Sequence, residues 1–338
     1  MGIHSIGSRL RTPWRRVLQG TAGLALAGVI ASTAACGGQY IRATTAPVTS
    51  SLPASSITRH VVVVSVDGLR PDATEAYAAP TIQRLMREGS YTLDARTIEP
   101  SKTLPSHTSM LTGLTPDKHH VLWNTVVTAD ADAISLPNVF SVARQHGYRT
   151  AAFFSKAKFQ PLQLPGTLDY TQAPGGLAGR WSSRHTVRDV TTYLADEKPN
   201  LLFVHLTDPD AAGHRYGWMT PEYGEAVLRA DEAIGDLVAI AERTFGHDNV
   251  SFIVTADHGG HGTDHGSDDP QDVTIPWIAW GRGVHPGELS AAHVRTMDTA
   301  ATTLWLLGLE PPDDWAGRPV VQAFAEPVEQ EAPVTPTR

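Results

Sequence analysis

Val61–Val66 is a continuous apolar, largely β-branched run that ends on an acidic residue, Asp67. A strand with one wet face alternates apolar with polar residues, so an unbroken run belongs to a parallel strand covered on both faces. The pattern returns twice: Leu201–Leu206 leads to Asp208 and Asp210, and Val250–Thr255 leads to Asp257. Arg149–Phe154 and Val273–Trp280 read as two further strands. Helical segments alternate with them, at Ala79–Glu88, Leu136–Gln145 and His185–Glu197. A long helix is capped by Thr220, opened by Pro221 and closed at Gly246, with Tyr223, Val227, Ala230, Ile234, Leu237 and Ala241 at helical spacing. This alternation predicts an α/β fold with a mostly parallel central sheet flanked by helices on both faces. Ligands of such sheets bind beyond the carboxyl ends of the strands, so Asp67, Asp208, Asp210 and Asp257 are expected at one crevice.

The 338 residues allow one large domain, expected at residues 58–325. Residues 1–36 read as an export signal: Arg9, Arg11, Arg15 and Arg16 precede an apolar, small-residue run from Val17 to Ala35 that lacks acidic residues. Arg15 and Arg16 loosely resemble a twin-arginine signal. Cys36, between Ala34-Ala35 and Gly37-Gly38, resembles a bacterial lipoprotein cleavage site, the alternative being an ordinary signal peptide with an incidental cysteine. The expectation is an exported protein, at the cell surface or in the periplasm, lipid-anchored to a membrane through Cys36. Residues 37–57 read as a flexible tether and residues 326–338 as a disordered tail. A formal net charge of -8 argues against binding to a nucleic-acid duplex by phosphate neutralisation. A small phosphate ester stays open as a ligand, because bound cations could supply the positive charge.

A single aspartate after a strand is ordinarily a turn residue or a helix cap. Three such strand ends with histidines close by call for another explanation. With 15 histidines and 1 cysteine, any metal would be held by imidazole and carboxylate. Asp210 and His214 lie four apart across an expected small-residue turn, and Asp257-His258-Gly259-Gly260 is followed by His261 and His265. His60, His185, His247, His285 and His293 have no such surroundings and read as bystanders. Thr103 stands in Ser101-Lys-Thr103-Leu-Pro-Ser-His107, ahead of Thr112-Gly113 and a stretch from Pro116 to Asn124. Alone it would read as a helix cap, since a neutral hydroxyl is a poor nucleophile without a base or metal beside it.

Taken in order, Val66-Asp67-Gly-Leu-Arg-Pro-Asp72, Thr103-Leu-Pro-Ser-His107, Asp210…His214, Asp257-His258-Gly259 and Trp315-Ala-Gly-Arg-Pro-Val320 resemble the alkaline phosphatase superfamily. Within it, the resemblance is to the type I phosphodiesterase/nucleotide pyrophosphatase branch, and it runs from about His60 to Val320. It implies an enzyme, a phosphoric ester hydrolase with two divalent metal ions, of zinc type. Thr103 would be its nucleophile, forming a phosphothreonine that water cleaves. The resemblance assigns Asp67, Asp257, His258 and the Thr103 oxygen to one ion. It assigns Asp210, His214 and His265 to the other, with His261 as the alternative to His265. Asn124 matches an asparagine that helps hold a phosphate oxygen, and His107 is expected to be structural. Leu104 stands where many nucleotide-cleaving members carry an aromatic residue, and His120 replaces a usual glycine.

Lys156 and Lys158 follow the expected strand Arg149–Phe154 and are candidates for a phosphate clamp, the bland alternative being solvated loop charges. A phosphodiesterase or nucleotide pyrophosphatase acting on a small phosphate ester is the first reading. An alkaline phosphomonoesterase or phosphonate hydrolase on the same scaffold is the second. A surface-binding lipoprotein without chemistry is a remote third.

Overall fold

A computed structural model of the chain describes residues 56–126, 134–176, 179–289 and 293–324, together with the backbone of residues 38–42. The export signal, Cys36 and the tail at residues 326–338 lie outside the described residues. The strands are β1 (Gly38–Arg42), β2 (His60–Val66), β3 (Ser90–Arg96), β4 (Thr150–Phe153), β5 (Tyr170–Pro174), β6 (Leu201–Leu206), β7 (Val250–Thr255), β8 (Thr274–Gly281) and β9 (Gly287–Glu288). They form one mixed sheet in the order β1-β5-β4-β6-β2-β7-β8-β3-β9. The central strands β5, β4, β6, β2 and β7 run parallel, while β1 pairs antiparallel with β5, β8 antiparallel with both β7 and β3, and β9 parallel with β3. Within the segment read as a tether, β1 pairs with β5.

The continuous apolar runs mark the middle of this sheet: every residue of β4, β6 and β7 is buried, as is all of β2 after His60. Both faces are covered, which is what such runs require. One layer of helices contains Pro80–Glu88, Ser183–Asp196, Asp208–Tyr216 and Pro221–Phe245; the other contains Thr103–Thr112, Val139–Gln145 and Asp298–Leu306. The long helix starts at Pro221 with the Thr220 side chain accepting from the Tyr223 amide, and Gly246 closes it.

Two local expectations are corrected. The segment from Asp210 to His214 is not a turn but part of the helix Asp208–Tyr216, which Pro209 can open because the first turn needs no amide donor there. The four-residue spacing therefore sets Asp210 and His214 on one helical face. The helix read from Leu136 begins at Val139, because Asn138 caps it by accepting from the Phe140 and Ser141 amides.

Candidate active site

Strands β4, β6, β2 and β7 are adjacent and parallel, so their carboxyl ends open onto one crevice. Ser155 and Lys156 leave β4, Asp208 and Asp210 leave β6, Asp67 leaves β2, and Asp257 follows β7. Gly68 lets two of these ends meet. Its φ is +71°, and a Cβ there would stand 2.9 Å from the Asp210 Cα. The Asp210 amide donates to the Asp67 carbonyl at 3.0 Å.

Asp67, Asp210, Asp257 and His258 are buried, and among the described residues three of their carboxylate oxygens have no hydrogen-bond partner: Asp67 Oδ1, Asp210 Oδ1 and Asp257 Oδ2. Buried oxygens of this kind are costly unless something binds them. The histidines face the same point. His258 Nδ1 donates to the Gly259 carbonyl at 2.8 Å, His265 Nδ1 to Ser101 at 2.8 Å, and His214 Nδ1 to Thr263 at 3.0 Å. A carbonyl can only accept, so each ring carries a proton on Nδ1 and turns Nε2 inward. His258 Nε2 lies 3.4 Å from Asp67 Oδ1 and 3.3 Å from Asp257 Oδ2. His214 and His265 Nε2 lie 3.3 and 3.7 Å from Asp210 Oδ1. Imidazoles oriented by Nδ1–H bonds, with partnerless carboxylate oxygens opposite, are the arrangement that metal-ligating side chains adopt. The donor set fits divalent ions of the zinc type.

Among the described residues, two groups have metal-compatible spacing: Asp210, His214 and His265, and Asp67, Asp210 and His258. Asp257 stands beside the second through His258. His261 is turned elsewhere, its Nδ1 against Asp272 Oδ1 at 2.7 Å. The charges are strongly coupled. Burial and the neighbouring Asp67 push the Asp257 carboxyl up to about 7. Burial opposes a charge on His258, yet Asp257 and Asp67 raise it to about 9. Burial and the charge of His258 bring His265 down to about 3, which keeps its ring neutral.

Thr103 is the first residue of the helix Thr103–Thr112, and its Oγ1 lies 3.4 Å from His258 Nε2. It thus stands at the positive end of a helix, where anionic oxygen is favoured. Asn124 Oδ1 accepts from the Leu104 amide at 2.9 Å and from Lys158 Nζ at 3.2 Å. Two donors on one oxygen fix the amide orientation and leave Nδ2 as the outward donor. Leu104 is fully buried. Lys156 is also buried, its Nζ 2.5 Å from both Asp67 Oδ2 and Asp210 Oδ2. Burial disfavours its charge, but Asp210 and Asp67 hold the ammonium above its ordinary range. Lys158 is shifted down, by burial and then by Lys156.

The residues behind the site were not all readable. His107 Nδ1 donates to the Thr103 carbonyl at 2.7 Å, and its Nε2 faces Ser65 Oγ at 2.8 Å, inside the protein. His205, in the middle of β6, was missed: its Nε2 holds Asp67 Oδ2 at 2.9 Å while its Nδ1 meets Ser155 Oγ at 2.6 Å. An ionisable residue inside a wholly apolar run was the available signal. His120 has φ +58°, the left-handed conformation that glycine adopts freely.

The chain matches the family model for type I phosphodiesterase/nucleotide pyrophosphatase over residues 61–276. Bis(5'-adenosyl)-triphosphatase enpp4 of Xenopus laevis is 26% identical over 226 residues, which cover 61% of this chain and 48% of that protein. Human ectonucleotide pyrophosphatase/phosphodiesterase family member 1 is 26% identical over 223 residues, 61% of this chain and 24% of that protein. GPI ethanolamine phosphate transferase 1 of Gibberella zeae is 25% identical over 304 residues, 77% of this chain and 30% of that protein. The chain therefore spans half or less of the length of these curated relatives. Among solved structures, an inactive variant of murine ectonucleotide pyrophosphatase/phosphodiesterase 5 in complex with AMP superposes with a TM-score of 0.65 at 16% identity. That match covers 75% of this chain and 96% of the murine one. A 2-O GAG sulfatase superposes at 0.62 with 14% identity, covering 78% and 74%. The structural likenesses show a shared alkaline phosphatase-like fold. With nearly two thirds of its length inside the matched model, the chain belongs to the type I phosphodiesterase/nucleotide pyrophosphatase family.

Proposed function

We propose that this chain hydrolyses phosphoric esters with two divalent metal ions, of zinc type, and Thr103 as nucleophile, diesters and nucleotide pyrophosphates being its first substrates. The observation that carries the reading is the shared inward aim of His258, His265 and His214 at partnerless oxygens of Asp67, Asp210 and Asp257, within 3.4 Å of Thr103 Oγ1 on its nearest side. Asp67, Asp257, His258 and the Thr103 oxygen would hold one ion, and Asp210, His214 and His265 the other. When bound, such ions supply Lewis acidity to the attacking and departing oxygens.

The chain's own groups do the rest. Thr103 Oγ1 forms a bond to phosphorus as the ester oxygen leaves, and water then cleaves the phosphothreonine. The helix N-terminus favours the anion, and Asn124 Nδ2 donates to a non-bridging oxygen. The relatives named bis(5'-adenosyl)-triphosphatase and the AMP-bound murine structure favour a nucleotide substrate. Leu104, being fully buried, offers no platform for a base, so the part beyond the phosphate is held elsewhere.

One observation favours phosphomonoesterase as the second reading. Lys158 Nζ stands 3.2 Å from Asn124 Oδ1, at the rim where phosphate oxygens would lie. A monoester dianion gains more from an added cation than a diester monoanion does. A hydrolysis panel of monoesters, diesters and nucleotides, run with metal-loaded and chelator-treated protein, tests both. Chelation is expected to abolish turnover and zinc to restore it; full activity with metal absent by elemental analysis rules the mechanism out. Export with a lipid on Cys36 is proposed from the sequence. A mature protein starting at Cys36 with added lipid mass is expected, and an unmodified start beyond Cys36 would exclude the anchor. Among the described residues no helix is long and apolar enough to cross a membrane.

A further inference from the structure

We infer that Lys156, together with His205, is a positioning residue that grips the two metal-ligand carboxylates from behind, and is not a phosphate contact; the inference rests on the two-metal reading above. Each carboxylate divides its oxygens in the same way. Asp67 Oδ2 takes Lys156 Nζ at 2.5 Å and His205 Nε2 at 2.9 Å, and Asp210 Oδ2 takes Lys156 Nζ at 2.5 Å. The Oδ1 atoms of both are the ones left without a hydrogen bond, and they face the Nε2 atoms of His258, His214 and His265. The grip therefore fixes which oxygen of each aspartate is offered forward. It also carries a geometric consequence: a carboxylate tied down by Oδ2 binds through Oδ1 alone.

The three parts of the grip come from neighbouring strand ends. Lys156 and Ser155 leave β4, His205 lies within β6, and Asp67 leaves β2. Ser155 Oγ donates to His205 Nδ1 at 2.6 Å, which leaves Nε2–H to donate to Asp67. All of these side chains are buried, Lys156 included. An ammonium between two buried carboxylates offsets their repulsion in the protein before any cation arrives, and removing one partner from such a set is strongly destabilising. Lys158, with its Nζ at Asn124 Oδ1 rather than on a ligand, is left as the lysine that can reach a phosphate.

The test compares Lys156→Met and Lys158→Met, each melted with and without zinc and each titrated with inorganic phosphate as a competitive inhibitor. For Lys156→Met the metal-free melting temperature should fall by about 5 °C or more, and the zinc-loaded one by clearly less. Its phosphate inhibition constant should stay within about twofold, while Lys158→Met raises that constant about tenfold with an unchanged metal-free melt. Equal falls in both melts, or no fall in either, would reduce Lys156 to a packing residue or a bystander and overturn the inference. So would an unchanged metal-free melt with a tenfold weaker phosphate, which would make it the clamp. If Lys156→Met folds in neither state, Lys156→Arg decides: retained charge should keep the metal-free melt within about 2 °C of the unsubstituted protein, and a larger fall counts against the grip. Failure of the two-metal reading looks different. There the unsubstituted protein would bind no second equivalent of zinc, while the metal-free melts would still report the hold of Lys156 on Asp67 and Asp210.

Discussion

Thr103 and the three inward-facing histidines act as single atoms at defined places, so they are tested one side chain at a time. Thr103→Ala removes the only proposed nucleophilic atom but none of the six other proposed ligand side chains. Turnover is expected to fall by roughly three orders of magnitude or more while zinc content measured by elemental analysis stays near that of the parent. Thr103→Ser keeps a hydroxyl at the helix N-terminus and should retain part of the rate. Near-normal turnover in Thr103→Ala would remove the covalent route from consideration. The last ligand is decided by a pair of variants. His265 Nε2 points at Asp210 Oδ1, whereas His261 is paired with Asp272 and is largely exposed. His265→Ala should therefore lose about one zinc equivalent and His261→Ala none, because removing one of three side-chain ligands is far costlier than removing a neighbour. A loss of zinc confined to His261→Ala would reverse the assignment.

At the scale of elements, the helix that carries Thr103 is held at its far end by the late motif Trp315–Val320. Gly113 closes that helix with φ +66°, and its carbonyl accepts from the amides of Ala316 and Gly317. The Trp315 ring lies over it so closely that a Cβ would stand 2.4 Å from ring carbon. Gly113→Ala thus combines a left-handed alanine with displacement of a buried tryptophan, and should cost about 2–4 kcal/mol in denaturant unfolding. A loss below about 0.5 kcal/mol would mean that the motif does not anchor the helix. The same distinction between local and distant partners explains what could be read in advance. The strands β2, β6 and β7 were legible because burial on both faces leaves an unbroken apolar run. Asp67, Asp210 and Asp257 were legible as candidate ligands because they stand shortly after those runs. Strand β3 was not, since Tyr91, Leu93 and Asp94 are only partly covered or exposed and Ser90-Tyr-Thr-Leu-Asp-Ala-Arg96 lacks the run. Nor was β5, whose Tyr170-Thr-Gln-Ala-Pro174 mixes polar residues into a buried strand. His205, and the pairing of Lys156 with the two carboxylates, escaped for a different reason. Their partners lie far away in sequence, His205 being 138 residues from Asp67, so only the order of strands in the sheet brings them together.

Across the whole molecule, ionisable groups concentrate at one end of the sheet, but two histidines outside the candidate ligand set, His60 partly buried and His119 buried, set a response to acid. His60 begins β2 at the end opposite Asp67, stacks on Phe245 at 4.0 Å and donates Nδ1–H to the Pro199 carbonyl at 2.8 Å. Burial lowers its pKa despite that bond. His119, in the other helix layer, accepts the Val121 amide on Nδ1 at 3.0 Å and faces Ser109 Oγ with Nε2 at 2.9 Å. Protonating Nδ1 would break the first of these bonds. Burial, then the neighbouring His120, brings His119 down to about 4. A histidine whose folded pKa lies below its unfolded value favours folding while neutral. Its contribution is complete above the ordinary value near 6.5 and is lost as the pH falls from there toward about 4. For His119 that loss is on the order of 2–3 kcal/mol at the acid end. In urea unfolding with excess chelator, the Asp257 carboxyl, raised to about 7, gains stability over the same fall in pH in parent and variant alike, so the decline carried by His119 from pH 7 to pH 4.5 is read as the difference between them. His119→Gln, which cannot ionise, should flatten this decline by about 1–2 kcal/mol over the same range, whatever its offset at neutral pH. An unchanged slope in His119→Gln would show that the Val121 and Ser109 bonds do not hold the ring neutral.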